Sequence, residues 1–200
     1  AFVFWTAAVR MVDVEKIGPR GSSVGFASLN RAVHELTGVH MELYTLTDWL
    51  GLVPIGLAAG FALLGLTQLL RRRSLLKVDR DILLLGGFYV LVLASYLFFE
   101  KAVVNYRPVL IDGYLEASYP SSTTVLVLCI VPTAMMQLSK RITNPWIRRG
   151  SLALLSVFAA GMVTGRLLSG VHWLTDIVGG ILLSAGLVLL YNSFAVKHRL

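Results

Sequence analysis

Long apolar runs separated by short basic stretches set the pattern of this chain. Leu50–Leu70 is the first full run and ends at Arg71. Ile82–Phe99 follows, then Thr123–Leu138 after Pro120, then Ser151–Leu168, broken only by Arg166. Ile181–Val196 closes the series, within an apolar stretch that opens near His172. A helix needs about 20 apolar residues to cross the hydrocarbon of a bilayer, and these runs approach that length. The opening Ala1–Val9 reads as the end of a further apolar segment, so the chain is expected to be truncated or processed at its N-terminus. Unpaired amides in lipid cost several kcal/mol each, and no two-residue alternation marks a barrel. The pattern therefore predicts an all-α polytopic transmembrane helix bundle of six spans, the first truncated, forming one domain over residues 1–200.

The connection Arg10–Asp48 is mixed. A Gly/Pro/Ser stretch, Gly18–Ser23, precedes a modest amphipathic segment in which Leu29, Val33, Leu36 and Val39 recur at helical spacing. Two outcomes are open there: a short helix on the membrane surface, or a loop packed over the end of the bundle.

Composition narrows the class. Of 200 residues, 56% are hydrophobic and only 14% charged, against about 25% charged in soluble domains. A soluble globule of this size cannot hide so much apolar surface, and a single cysteine, Cys129, excludes a disulfide scaffold. The net charge of +7 would raise nucleic-acid binding in a soluble protein. Here the basic residues cluster between apolar runs, so orientation explains them and no nucleic-acid partner is expected. Arg71, Arg72, Arg73, Lys77 and Arg80 follow one span; Lys140, Arg141, Arg148 and Arg149 follow the next but one; Lys197 and Arg199 end the chain. With alternating spans these places share one side, the cytoplasmic side by the positive-inside rule. The expected location is the plasma (cytoplasmic) membrane.

Three groups of polar residues fall on the other, outer side. Ionisable groups near hydrocarbon are costly and mark function by default. His172 and Asp176 lie four apart and share a helix face; the carboxylate is expected to accept the Nδ1–H of the imidazole and leave its other nitrogen free. Arg166, six residues earlier, carries a planar fork suited to phosphate. An interfacial histidine beside a helix-stabilising aspartate would explain the same residues without chemistry. The second group, Pro120-Ser121-Ser122-Thr123, reads as a helix start that Ser121 or Ser122 caps, with free amides behind it for an anion. The third is Glu100, Lys101, Asn105, Tyr106 and Arg107-Pro108. An arginine at such a place can simply snorkel. Together the groups supply what phosphoryl transfer needs: two guanidiniums, a helix N-terminus and a nucleophilic imidazole. No cluster of carboxylate, histidine and cysteine points to a metal, and no cofactor is expected.

This order and spacing resembles the type 2 phosphatidic acid phosphatase family of integral membrane phosphatases. That family shows Lys, six residues, Arg-Pro; then Pro-Ser-Gly-His; then Ser-Arg, five residues, His, three residues, Asp. Here Arg107-Pro108, Pro120-Ser121 and Arg166, His172, Asp176 fit, with Gly165 in the serine slot. The resemblance covers essentially the whole chain. It implies metal-independent hydrolysis of a lipid phosphate or diphosphate, of the polyprenyl diphosphate or phosphatidate class, at the outer face. His172 would attack phosphorus and Asp176 would hold it; Arg107 and Arg166, helped by Ser121 and the amides of the next turn, would grip the oxygens. Ser122 and Thr123 fall in the phosphate-binding segment.

Two departures bear on activity. Ser122 and Thr123 fill the Gly and His slots, so the family's acid histidine is absent, and a threonine hydroxyl is no acid near neutral pH. A diphosphate leaves as a stabilised phosphate and needs less protonation than an alkyl monoester. The lysine is also displaced: seven positions before Arg107 stands Glu100, not Lys101. On a helix, positions seven apart nearly align and positions six apart do not, so Lys101 is expected to miss the phosphate unless the helix ends early, while Glu100 is a candidate either to pair with Arg107 or, raised by burial, to replace the acid. The competing readings are a weakly active protein that binds lipid phosphates and a lipid phosphotransferase.

Overall fold

The computed structural model describes residues 1–196, so Lys197 and Arg199 lie outside the described residues. Eight α-helices form among the described residues: α1 (Phe2–Met11), α2 (Ala27–Thr37), α3 (Met41–Leu50), α4 (Leu52–Arg72), α5 (Arg80–Lys101), α6 (Ser122–Arg141), α7 (Pro145–Leu168) and α8 (Leu174–Val196). The described residues contain no β-strand, only isolated antiparallel bridges. The protein is an all-α polytopic bundle and an integral membrane protein.

Five helical rods are long and apolar enough to cross a membrane, with α3 and α4 running as one rod over Met41–Arg72. The expected sixth is the ten-residue α1, which at 1.5 Å per residue reaches only about half the hydrocarbon thickness. One rod extends well past its apolar run because a polar cap, rather than hydropathy, sets its start. In α7 the side chain of Asn144 accepts from the amides of Trp146 and Ile147, with Pro145 in the first turn, so the helix begins six residues before Ser151. Arg148 and Arg149 therefore lie inside α7 rather than in a connection.

The bundle is built around α6, which packs on α4, α5, α7 and α8. Its buried Val125 and Cys129 join Phe61 of α4, Leu85 and Phe88 of α5 and Tyr191 of α8 in one core. Val127 and Val131 meet Ala159 and Met162 of α7 in a second. The outer faces keep large apolar side chains exposed, among them Leu63, Val90, Leu97, Val157 and Leu189, a surface suited to lipid tails. At one end, Asp81 meets Lys140 and Arg141, both at 3.4 Å. The opposite end is closed by the N-terminal segment and the α5–α6 connection.

The amphipathic segment of the first connection forms α2, which covers that end rather than lying free on the surface. Asn30 is buried and bonds the start of α8: its Nδ2 donates to Thr175 Oγ1 at 3.0 Å, and the Thr175 amide donates back at 3.2 Å. Leu29, Leu36 and Val39 stay exposed. The turn before α8 requires glycine. Gly170 has φ +67°, and a Cβ there would lie 1.8 Å from the Gly38 carbonyl oxygen.

Candidate active site

The α5–α6 connection positions most of the site. After α5 the chain turns back on itself through Asp112-Gly113, both at positive φ, as in the tightest hairpin turns. Tyr106 bridges Ala117, the Arg107 amide donates to Glu116 O at 3.0 Å, and the Ser118 amide donates to Asn105 O at 2.9 Å. This ribbon lays Asn105, Arg107, Glu116 and Ser118 over the start of α8. Trp173 Nε1 ties the two together by donating to Tyr106 O at 2.8 Å.

Asp176 is fully buried and anchors the centre. Its Oδ2 accepts from the Trp173 amide at 3.0 Å, a reach back to the residue before α8 that satisfies an orphan donor of the helix start. Its Oδ1 accepts from Asn105 Nδ2 at 3.1 Å. The expected direct bond from His172 is not made: Nδ1 lies 3.9 Å from Oδ2, an ion-pair distance too long for a hydrogen bond. Ser118 stands between them, its Oγ 3.0 Å from His172 Nδ1 while its hydroxyl donates to Asp176 Oδ2.

The other imidazole nitrogen, Nε2, faces Arg107 Nη1 at 3.4 Å. Arg107 is buried, and its Nε lies 3.0 Å from Glu116 Oε2. That contact is a charge pair without hydrogen-bond alignment, so this buried N–H has no hydrogen-bond partner. Burial pushes the His172 imidazole down to about 4; Asp176 opposes the shift and the positive charge of Arg107 adds to it. The ring is therefore neutral near pH 7, the form that carries a free lone pair.

Arg166 is held one layer away. Its guanidinium sits 4.8 Å from the centre of the Tyr44 ring, and that of Arg107 sits 5.6 Å from the same ring. Arg166 Nη1 donates to Thr47 Oγ1 at 3.2 Å and to Tyr44 O at 3.3 Å, while Nη2 lies 3.6 Å from Asp48. Its Nε is buried without a partner.

A cavity of about 720 Å³ opens beside these groups. Arg107, Glu116, Ser118, Ser122, Thr123 and His172 line its polar end. Ile55, Leu93, Leu126, Ile130 and Leu183 line the rest, between α4, α5, α6 and α8. Arg166 and Ser121 do not reach it. Ser121 is fully buried; its amide donates to Asp176 O at 3.1 Å and its hydroxyl accepts from Thr124 at 3.1 Å. The expected cap does not form, since neither serine hydroxyl bonds a first-turn amide of α6. The amides of Ser122, Thr123 and Thr124 thus keep the orphan donors of a helix start beside the cavity.

Lys101 and Glu100 part company. The helical-phase argument does not carry to Arg107, because α5 ends at Lys101. Both side chains are exposed; Lys101 does not reach the cavity, whereas Glu100 lines it without the burial expected of a replacement acid. Among the described residues no group of three or more His, Cys, Asp or Glu side chains could hold a metal ion.

Of the residues the sequence singles out, Arg107, Ser122, Thr123 and His172 line the cavity and Asp176 lies behind His172; Ser118, Glu116 and Tyr44 were not singled out, and Asn105 was noted without a role. The Asp112-Gly113 pair was the available signal, since a hairpin there folds Ser118 back beside Asn105.

No curated protein sequence matches the chain. A crystal structure of the first transmembrane PAP2 type phosphatidylglycerolphosphate phosphatase from Bacillus subtilis shares the fold, with a TM-score of 0.64 and 18% identity. The match covers 98% of this chain and 93% of that one. The family model of the PAP2 superfamily matches residues 57–199, which takes in α5 to α8, the hairpin and every cavity-lining polar group named above, so the chain belongs to the PAP2 superfamily.

Proposed function

We propose that this protein is a metal-independent membrane phosphatase that hydrolyses a lipid phosphate or diphosphate through a phosphohistidine on His172. The observation that carries the reading is the approach of Arg107 Nη1 to the free nitrogen of His172 at the polar end of an otherwise apolar cavity. A phosphoryl oxygen entering there takes the place of Nε2 as the acceptor for the Arg107 guanidinium. The amides at the start of α6 serve the same charge from the other side. Nε2 then lies in line to attack phosphorus. The N–P bond forms as the bond from phosphorus to the leaving oxygen breaks, and that oxygen departs with the electron pair. Water attacks the phosphohistidine next, phosphate leaves, and the imidazole is restored.

The apolar length of the cavity suits a lipid tail, which enters from the membrane between the helices. Charge distribution supports an outward-facing site in a plasma membrane, since the basic clusters Arg71–Arg73 and Lys140–Arg141 lie at the opposite ends of α4 and α6. Thr123 supplies no acid, which favours a polyprenyl diphosphate over a phosphatidate. Arg166 acts through Tyr44 and Thr47, as a second positive charge behind the first. The whole described chain works as one phosphatase domain.

The test is phosphate release from a panel of lipid phosphates and diphosphates in detergent micelles with a chelator present, and His172→Ala as the control. Release from wild type alone supports the proposal. Release that stops with the chelator, or persists in the variant, refutes it. Thr123 at the acid slot favours one second reading, a protein that binds lipid phosphates with little turnover; tight binding without release is its signature. Glu100→Gln addresses the replacement acid: a loss confined to monoester substrates assigns the role to Glu100, and unchanged turnover removes it.

A further inference from the structure

We propose that Ser118 is a positioning residue that fixes the tautomer of His172 by standing between its ring and Asp176. The proposal rests on the phosphohistidine reading for its kinetic consequence, but its structural content stands by itself.

The tautomer follows from donors and acceptors counted at both ends of the ring. At one end, Arg107 carries only N–H donors, so the nitrogen it faces at 3.4 Å must offer a lone pair. That nitrogen is Nε2, which leaves the ring proton on Nδ1. At the other end, Ser118 has a single hydroxyl proton, and the neighbouring carboxylate can only accept. The hydroxyl therefore donates to Asp176 Oδ2, and its oxygen accepts Nδ1–H of His172 at 3.0 Å. Both ends demand the same tautomer. It is the one with the nucleophilic lone pair on the cavity side.

Asp176 cannot do this alone, because its oxygen is 3.9 Å from Nδ1 and is already committed to the Trp173 amide. Ser118 itself is buried and is held in register by the hairpin, through its amide bond to Asn105 O. Asn105 in turn holds the other carboxylate oxygen. The hairpin thus delivers two groups to one carboxylate, and only Ser118 passes the connection on to the ring. Without its hydroxyl, a buried Nδ1–H has no acceptor, and the long contact to Arg107 is left as the one remaining preference for that tautomer against the flipped ring.

Two readouts test this on the full chain in detergent. The first needs no turnover: ¹⁵N spectra of histidine-labelled protein, with His172→Gln to assign the signal. Wild type should show a neutral ring protonated at Nδ1, Ser118→Ala a mixture of tautomers, and Ser118→Thr, which keeps the hydroxyl, the wild-type pattern. A single Nδ1–H tautomer in Ser118→Ala overturns the proposal. The second is the split of kinetic constants for a polyprenyl diphosphate. Ser118→Ala should lower kcat about 10- to 100-fold, as other outer-shell losses do, with KM within about twofold and recovery in Ser118→Thr. Wild-type kcat in Ser118→Ala, or equal loss in the alanine and threonine variants, counts against it. Should the alanine variant not fold, Ser118→Cys, with a weaker donor, must show an intermediate kcat; full activity there also overturns the proposal. If His172→Ala keeps turnover, the phosphohistidine reading fails, while the tautomer result still decides the role of Ser118.

Discussion

Replacing Thr123 by histidine probes the feature that most limits the chemistry. Thr123 is buried at the second position of α6 and lines the polar end of the cavity together with His172. An imidazole there has room, since the side chain grows toward about 720 Å³ of open space rather than into the α6–α8 core. Overpacking of a filled core costs about 1–3 kcal/mol, and the cavity keeps this substitution toward the lower end. The gain is set by the leaving group. A positioned general acid contributes typically about 10²–10⁴-fold, which is about 3–5 kcal/mol of barrier. An alkyl monoester must shed an alkoxide and should receive most of that. A diphosphate sheds a phosphate already stabilised as an anion and should change by less than about tenfold. The assay is kcat/KM, per folded protein, for a phosphatidate and a polyprenyl diphosphate on wild type and Thr123→His. The reasoning fails if both substrates gain equally, or if the monoester gains nothing while the variant remains folded.

Other consequences can be measured separately. Arg107→Ala removes the only guanidinium that reaches the cavity among the described residues; two charge-assisted bonds are worth about 3–6 kcal/mol, so kcat/KM should fall by at least about 10²-fold, and Arg107→Lys should recover the charge but not the fork. The sign of the His172 shift fixes its titration: a buried ring with its pKa lowered to about 4 stays neutral as pH falls through 6.5 and takes its proton only near 4. A ¹⁵N titration of that signal showing protonation at or above 6.5 would contradict the burial argument. Asn30→Ala removes both bonds to Thr175, leaves the buried Thr175 amide without its acceptor, and should lower thermal stability by an amount worth about 1–3 kcal/mol in scanning calorimetry.

Hydropathy made the bundle legible because lipid enforces it: every amide in the hydrocarbon must be paired within its own helix, so apolar length alone announces a span. The helix ends were less legible, since Asn144-Pro145 starts α7 six residues ahead of the apolar run. The His172–Asp176 pair was visible because spacing of four survives a helix start, even though His172 itself precedes α8. Its link through Ser118 was not visible. Fifty-four positions separate Ser118 from His172, and what joins them is a hairpin held by isolated bridges, too short to show alternation. Tyr44 was hidden for a similar reason: its ring meets Arg107 and Arg166, which lie 63 and 122 residues further along the chain. Long-range placement by loops leaves no periodic trace in a sequence, whereas helical spacing does.

The central claim is that phosphorus bonds to His172, and trapping that bond tests it most directly. Wild-type protein turning over a ³²P-labelled polyprenyl diphosphate, quenched in base and digested, should carry the label on the His172 peptide. The label should vanish on acid treatment and in His172→Ala. Turnover without a labelled peptide, or a label on any other residue, would contradict the account.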